Sequence, residues 1–498
     1  MNRQTIVIYF LFFFSSLFLS AQDISFNANC QQAYKQILSM QLDSADAVLN
    51  RETRSNSDNV YIPYLKNYIS FVSLFVSQDK KLYKELKLLK SESFDKVAKL
   101  KDTNPYKKWM LGNMHLQWSV LKIMFGDYIS AAIEFNNAYH LIEDNTIQFP
   151  DFRLNDLSRS VLKIIVGLVP EQYNWFLNML SMNGDIEEGK NKLSGFLSYA
   201  KSNPSLAPYY HETLFYAAFI EMNIHPDKEK IAGFINQSES IDDSVLLITF
   251  LRLNIYMRTG ENQKALDLFT DINTFKNKTY PFYYLNYLHA ECLLRAQNWH
   301  ESFLEFEEFT DKFQGENYMK DAWRKKAWAA FMLEDSALYL NCMQQVLLKG
   351  DNRIDIDKEA LSEAETNQFP NKDLLLSRIL FDGGYYADAL NLLNAIDTSG
   401  YSDNDKLNYM YRTGRVYHEI NNSEKAKTYY GLAISLGKNA DSYYAANAAL
   451  KLGELYETEG NINLAKEAYS SCMNLNFKQY KNSILRRAAE GFKRVSDQ

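Results

Sequence analysis

Small and aromatic residues recur along the C-terminal third of the chain in a unit that predicts two amphipathic helices joined by a tight turn. In the clearest copy, the small residues are Gly453 and Ala465 and the aromatic residues are Tyr456 and Tyr469. Small residues let one helix approach the other closely, and aromatic rings fill the space beside them. Gly460, between the helices, suits the left-handed conformation that ends a helix. This unit therefore predicts a helix hairpin.

The same unit recurs toward the N-terminus. Ala389, Ala426 and Ala465 take equivalent positions at separations of 37 and 39 residues, close to the roughly 34-residue period of the tetratricopeptide repeat. A further copy surrounds Gly260, and the stretch 323–346 predicts one more helix pair. The pattern resembles the tetratricopeptide consensus, which implies an all-α fold: a right-handed α-solenoid of stacked, tetratricopeptide-like helix pairs.

The N-terminal part of the chain repeats less regularly. Apolar spacing predicts helices over 31–50, 61–76 and 82–100, and small residues around Gly126 fit the second half of a repeat. No stretch shows sustained strand alternation. An irregular helical bundle therefore remains an alternative for residues 25–205.

One apolar stretch, 161–170 with the sequence VLKIIVGLVP, needs a separate interpretation. It is too short to span a bilayer, which takes roughly 20 residues. It also contains Lys163 and ends at Pro170. We therefore predict a buried helix rather than a membrane-active segment.

The first residues predict an export signal. Arg3 precedes an apolar stretch that ends at Leu19, and small residues then precede Gln22. This order is typical of a cleaved secretory peptide; an uncleaved membrane anchor is the alternative. The patterns together divide the chain into a signal peptide at 1–21, an irregular N-terminal helical region at 22–205 and a repeat solenoid at 206–498.

Composition narrows the class of protein further. Gly (19) and Pro (9) are scarce, which argues against many strands joined by tight turns. The formal charge of −7 is mild and spread along the chain, so we expect no nucleic-acid partner, which would need a basic stripe. An exported chain permits disulfides, so a Cys292–Cys342 bond is conceivable, but a repeat protein of this size does not need one. We expect buried free thiols.

No catalytic motif stands out. The chain has no phosphate-binding glycine loop, no HExxH zinc helix and no GxSxG nucleophile elbow, so we expect neither an enzyme nor a cofactor. His211 and Glu212 with His225 suggest a metal site, but Pro226 and the long separation favour ordinary histidines. A second group of acidic residues suggests a calcium site, because calcium binds several oxygen ligands. It lacks the glycine that bends an EF-hand loop, so we expect a solvated turn and the start of a helix instead. That group comprises Asp351, Asp355, Asp357 and Glu359.

Several runs of residues also resemble uncharacterised exported repeat proteins of Gram-negative bacteria. They are 115–118, 125–128, 149–152, 167–170 and 444–450. The order of an apolar helix, Leu-Val-Pro and a Gly-Asp turn is distantly similar to the inclusion-body clearance family of tetratricopeptide proteins. Neither family carries an established catalytic centre. The resemblance therefore implies a scaffold, and with the export signal it implies the periplasm.

The first helix of each tetratricopeptide unit lines a concave groove, and this template predicts a candidate binding surface. The residues it places in the groove are Arg378, Asn408, Tyr411, Arg412, Arg415, His418, Asn447 and Lys451. Arginines and amides suit a peptide carboxylate or an acidic side chain, although the same residues also fit ordinary solvated helix faces. We expect a non-catalytic adaptor that binds protein or peptide partners.

A carrier of a glycan or lipid is the alternative function. This alternative rests on a cluster of aromatic residues, which comprises Tyr280, Phe282, Tyr283, Tyr284 and Tyr287. Core filling explains most of these rings equally well. The sequence indicates neither the partner nor an oligomeric state.

Overall fold

A computed structural model describes residues 25–169, 174–224 and 227–496. These residues form 25 α-helices, and they include no β-strand. The predicted signal peptide at 1–21 lies outside the described residues, as do Pro170 and His225.

The chain divides into two compact units. The first comprises Met1–Leu251 and Ile272–Pro281, and the second comprises Arg252–Asp271 and Phe282–Gln498. The predicted boundary between residues 205 and 206, which concerned the regularity of the repeats, remains a prediction.

The helices of the first unit are short to medium in length. They are α1 (Ala28–Leu38), α2 (Leu42–Ser55), α3 (Tyr61–Ser77), α4 (Lys80–Ala98), α5 (Pro105–Met124), α6 (Tyr128–Gln148), α7 (Leu154–Gly167), α8 (Asn174–Met179), α9 (Ile186–Lys201), α10 (Ala207–Asn223) and α11 (Lys228–Ser238). Two further helices contribute residues to both units, namely α12 (Leu246–Thr259) and α13 (Asn262–Phe275).

The second unit continues the series with helices of similar length. They are α14 (Tyr284–Arg295), α15 (Trp299–Lys312), α16 (Met319–Met332), α17 (Ser336–Leu348), α18 (Asp355–Glu365), α19 (Lys372–Asp382), α20 (Tyr386–Ala395), α21 (Asp403–Glu419), α22 (Ser423–Leu436), α23 (Tyr444–Thr458), α24 (Ile462–Asn474) and α25 (Lys481–Ser496).

Eight helix hairpins share one turn geometry. The second residue of each turn, or the first in the α12–α13 hairpin, has a positive φ. The next residue donates its backbone N–H to the carbonyl five residues earlier, as Asn461 does to Tyr456 at 2.9 Å. This bond satisfies a carbonyl that the helix end would leave unpaired. The positive-φ residues are Met40, Gly126, Gly260, Gln297, Glu334, Gly384, Asn421 and Gly460.

Small residues set the spacing within the pairs, as the sequence predicts. Ala389, Ala426 and Ala465 are fully buried, and the rings of Tyr430 and Tyr469 lie in the same cores. First helices of successive pairs also pack side by side: α1 on α3 and α3 on α5 in the first unit, and α19, α21, α23 and α25 in the second. The structure therefore confirms an all-α fold of consecutive, tetratricopeptide-like helix pairs.

The predicted helices over 61–76 and 82–100 are confirmed by α3 and α4, and the pair over 323–346 is confirmed by α16 and α17. The single helix predicted over 31–50 is wrong, because the chain turns at Met40, where φ is 57°. The apolar stretch 161–170 lies largely in α7, where Leu162, Ile164 and Val166 are buried, as predicted.

A polar cluster joins distant helices of the first unit. Glu212 on α10 is buried, and its carboxylate accepts hydrogen bonds from the hydroxyls of Tyr34 at 2.5 Å, Tyr68 at 2.7 Å and Tyr216 at 2.8 Å. Hydrogen bonds to a charged group contribute roughly 1.5–3 kcal/mol each. Because Tyr34 belongs to α1 and Tyr68 to α3, the cluster holds α10 against the start of the unit.

All four cysteines are free and buried, which confirms the expectation of unpaired thiols. Burial raises the pKa of Cys30, Cys292 and Cys472 to about 12 and that of Cys342 to about 11. The thiolate is the reactive form of a cysteine.

We therefore expect no reaction of the cysteines with Ellman's reagent at pH 8 in the native protein and four reactive thiols after denaturation. Fewer thiols in the denatured, unreduced protein would show a disulfide.

The turns at Gly260 and Gly384 touch, and both have a positive φ. A Cβ at Gly384 would lie 1.8 Å from the Gly260 carbonyl oxygen. We expect Gly384→Ala to lower the free energy of unfolding by more than ~2 kcal/mol, because it adds this overlap to a strained φ. The matched control is Gly431→Ala in α22, where a Cβ meets nothing within 4 Å. This control should stabilise the protein by up to about 1 kcal/mol; equal effects of the two variants in denaturant titrations would contradict the argument.

Candidate functional site

Three neighbouring first helices of the second unit carry the predicted groove residues. Arg378 lies on α19, the residues from Asn408 to His418 lie on α21, and Asn447 and Lys451 lie on α23. These three helices pack side by side, and the charges of Arg378, Arg412 and Arg415 all act to lower the pKa of Tyr443, which burial raises. We call the group formed by Arg378, Tyr411, Arg412, Arg415 and Asn447 the arginine face.

Arg412 and Arg415 carry positive charge on this face, and the charge of Asp382 is among the groups that raise the pKa of Arg415 against the effect of burial. Among the residues that the structure describes, no carboxylate lies within 4.0 Å of either guanidinium group. The guanidinium carbon of Arg415 lies 4.1 Å from the centroid of the Phe381 ring, which holds the side chain in place by a cation–π contact. Both arginine side chains are half-buried.

Tyr411 does not line the face as an open side chain, which corrects the prediction. Only 1% of the residue is exposed, and its ring packs against Tyr443 and Tyr444. Its hydroxyl accepts hydrogen bonds from Asn447 Nδ2 at 2.7 Å and Arg415 Nη1 at 3.5 Å. Tyr411 thus positions the two neighbours rather than offering a binding surface of its own.

Arg378 is held by an aromatic ring and an acid. Its guanidinium carbon lies 4.8 Å from the centroid of Trp328, and its Nε lies 3.9 Å from an Asp382 carboxylate oxygen. The guanidinium carbon of Arg324 lies 4.9 Å from the centroid of the same Trp328 ring. The indole Nε1 donates to Glu363 at 2.7 Å. Arg378 is therefore less free to bind an anion than Arg412 and Arg415 are.

Two of the predicted residues contact other groups. His418 Nδ1 lies 3.2 Å from the hydroxyl of Tyr430, which belongs to the second helix of the same pair. Lys451 donates to Glu454 at 2.8 Å. The structure therefore brings together the three arginines and Asn447 but gives His418 and Lys451 other partners.

Several buried polar atoms around the arginine face have no hydrogen-bond partner among the described residues. Most buried polar groups in proteins are paired. Four such unpaired atoms lie on α21, on α23 or directly before α23. They are Asn408 Oδ1, Arg412 Nε, Ser442 Oγ and Asn447 Oδ1.

Sequence reasoning missed the aromatic surroundings of this face. Tyr443 packs edge-on against Tyr480, with ring centroids 5.1 Å apart. The Tyr443-Tyr444 doublet at the start of α23 is a signal that could have shown part of this cluster, because tyrosines are frequent at binding interfaces. Trp328 and Phe381 carry no such signal, since helix spacing alone places them in a core.

The acidic group before and within α18 does not form a cation site. Asp351 pairs with Arg353 at 2.7 Å, and Asp355 pairs with Lys358 at 2.9 Å. Asp357 is fully buried and accepts from the backbone N–H groups of Tyr318 at 2.7 Å and Asp321 at 3.0 Å, so it caps α16. The predicted helix start at Asp355 is confirmed, but the solvated turn is wrong for Asp357 and Glu359, which are both buried.

His211 and Glu212 have different surroundings and do not form a shared metal site. Glu212 belongs to the tyrosine cluster of the first unit. Burial, together with the charge of Lys35, lowers the pKa of His211 to about 4. In the described ranges no group of three or more potential metal-ligating side chains comes together, and no helix there is long and apolar enough to cross a membrane.

Glu359, which is buried near Arg324 and Arg378, supplies a pH-dependent contribution to stability. Burial raises its pKa to about 7, although both arginines act in the opposite direction. The folded chain therefore binds this proton more tightly than the unfolded chain does. Its contribution is fully present below the usual carboxyl pKa and is lost as the pH rises through 7.

We expect Glu359→Gln to raise the free energy of unfolding relative to the wild type, and to do so by about 1–3 kcal/mol more at pH 8 than at pH 5. The amide keeps the shape of the side chain and removes the buried charge. The measurement is the free energy of unfolding in denaturant at both pH values. Glu365→Gln, at an exposed position of the same helix, is the control. A Glu359 variant that follows the wild-type pH dependence would contradict this assignment.

Comparisons with known proteins give no family. No protein-family model matches the chain, and no curated protein matches it. Among solved structures it is similar to the tetratricopeptide domain of P58(IPK), at 14% identity over 85% of this chain and 99% of that one, with a TM-score of 0.20. It is also similar to the Cut9–Hcn1 assembly of APC/C (12%, 93% and 95%, TM-score 0.28) and to yeast Tom70 (12%, 93% and 87%, TM-score 0.22). At these TM-scores the whole chains superpose poorly, so the fold assignment rests on the helix pairs themselves.

Proposed function

We propose that the protein is a non-catalytic scaffold that binds an acidic segment of a protein or peptide partner on the arginine face. The observation that carries the proposal is the pair Arg412 and Arg415, which have no carboxylate partner among the described residues. A guanidinium group binds a carboxylate through two parallel hydrogen bonds. Half-burial strengthens such a bond, because less water screens it.

The neighbouring groups suit a peptide rather than a lone ion. The Tyr443 and Tyr444 rings provide apolar surface beside the charges. Helix pairs stacked in series are rigid, so binding costs little ordering of the protein.

We place the protein in the periplasm of a Gram-negative bacterium. The export signal predicted at residues 1–21 and the resemblance to exported repeat proteins support this location. A nucleic-acid partner is not part of the proposal, since the chain carries a net charge of −7.

A carrier of a glycan or lipid is the second class of function, and it gains no specific support. Tyr284 and Tyr287 stack on each other with centroids 5.3 Å apart, and Tyr287 is buried and donates to Asp321 at 2.5 Å. These rings serve packing between α14 and α16. A small molecule bound to the protein in a native mass spectrum would support the carrier function.

We expect Arg412→Glu to reduce recovery of the protein partner by roughly tenfold or more, since it turns attraction for a carboxylate into repulsion. The assay is affinity capture of tagged protein from the envelope fraction of its host, followed by mass spectrometry. Arg486→Glu, at an exposed position of α25, is the matched charge-reversal control. The same spectra give the N-terminus, and a chain that starts near Gln22 would support export.

Equal recovery of the partner by the wild type and by Arg412→Glu would remove the arginine face from the proposal. Circular dichroism of the variant establishes that it is folded. Capture of no protein by a folded wild type would contradict the scaffold function itself.

A further inference from the structure

A second surface, in the first unit, is formed by α4, the end of α5 and the start of α6. The ring of Tyr83 on α4 stacks on Phe125 in that turn, with centroids 4.2 Å apart and planes 15° from parallel. Lys87 Nζ lies 3.1 Å from Asp127 Oδ2. These two contacts, together with the ion pair between Lys90 and Glu134, join α4 to the turn and to the first half of α6.

Large apolar side chains project from this surface. Leu88 and Ile129 are each 82% exposed. Side chains exposed to this extent stand out from the surface rather than line a depression, and exposing several together is unfavourable without a partner. We call the set the apolar edge; it comprises Leu88, Ile123, Tyr128, Ile129 and Ile133, of which the least exposed is Ile123 at 52%.

The apolar edge is accompanied by a local excess of positive charge. Residues 80–101 contain eight lysines and three acidic residues, and Asp79 and Asp102 flank them, in a chain whose net charge is −7. Three of these lysines form ion pairs, Lys87 with Asp127, Lys90 with Glu134 and Lys96 with Glu92, so the excess rests on the remaining lysines. Lys81, Lys84 and Leu88 recur at spacings of three and four residues, which places them on one side of α4. In this described part of the chain, no carboxylate oxygen lies within 4.0 Å of the Nζ atom of Lys81 or Lys84.

We infer that the apolar edge docks the protein on an anionic phospholipid surface. Aliphatic side chains insert at the boundary between headgroups and acyl chains, while lysines extend their ammonium groups to the phosphates. Each lysine near such a surface adds to the attraction. Projecting side chains fit a fluid lipid layer, which adapts to their shape, better than they fit a rigid protein partner, which would need a matching cavity. The inference concerns a surface separate from the arginine face.

Flotation with vesicles tests the inference on the full protein produced in its host. The wild type should float with vesicles that contain phosphatidylglycerol and much less with vesicles of phosphatidylcholine alone, and added salt should weaken the binding. The variant Lys81→Glu/Lys84→Glu should lower the partition coefficient by about tenfold or more. The variant Leu88→Asp/Ile129→Asp should lower it to a similar extent, because two inserted side chains become charged.

The matched control is Leu348→Asp/Lys349→Glu, which alters a 67% exposed leucine and an exposed lysine in the second unit. The control and Arg412→Glu should both float like the wild type, so that failure of the arginine face and failure of the apolar edge are distinguishable. The inference is overturned if the wild type does not float with anionic vesicles, or if all variants float alike. Loss of a captured protein, without loss of flotation, would assign the edge to a protein partner and overturn the inference as well.

Discussion

Contact between a small residue on one helix and an aromatic ring on the next governs the spacing in the second unit. A Cβ added at Gly453 would lie 2.6 Å from the Tyr469 ring, and one at Gly414 would lie 2.8 Å from the Tyr430 ring. Larger residues at either position would push the paired helices apart. The arginine face depends on this spacing, because α21 and α23 bring Tyr411 and Asn447 within hydrogen-bond distance only when both pairs are closely packed.

Buried charge is the second feature that shapes this unit. Asp321 is fully buried, and although burial alone would raise its pKa, Lys325 and Arg324 lower it to about 2. Removing one member of such a cluster leaves a buried charge unpaired, which is strongly unfavourable. The paired charges around Asp321 contrast with Arg412 and Arg415, and this difference separates charges that hold the helices together from charges available to a partner.

The sequence predicts the helix pairs wherever the turn residue is glycine, as at Gly460. It also predicts the pairs that turn at Asn421 and Glu334, where the repeat spacing or the helical stretch indicates both helices. It fails at Met40, because apolar spacing continues through that turn and indicates one long helix. The candidate face shows a similar limit. Helix spacing placed the arginines on a common side, but the contacts that fix Tyr411 in the core and leave Arg412 unpaired depend on which helices stack in three dimensions.

The tyrosine cluster around Glu212 has a consequence for how the chain acquires its structure. The hydrogen bond between Tyr34 and Glu212 joins residues 178 positions apart, whereas most contacts of a repeat array are local. The first helix therefore cannot complete its buried polar contacts until α10 has been synthesised. Long-range closure of this kind slows folding. The helices that share this cluster, α1, α3 and α10, thus complete their buried polar contacts together, in contrast to a simple repeat array, in which each repeat contacts only its neighbours.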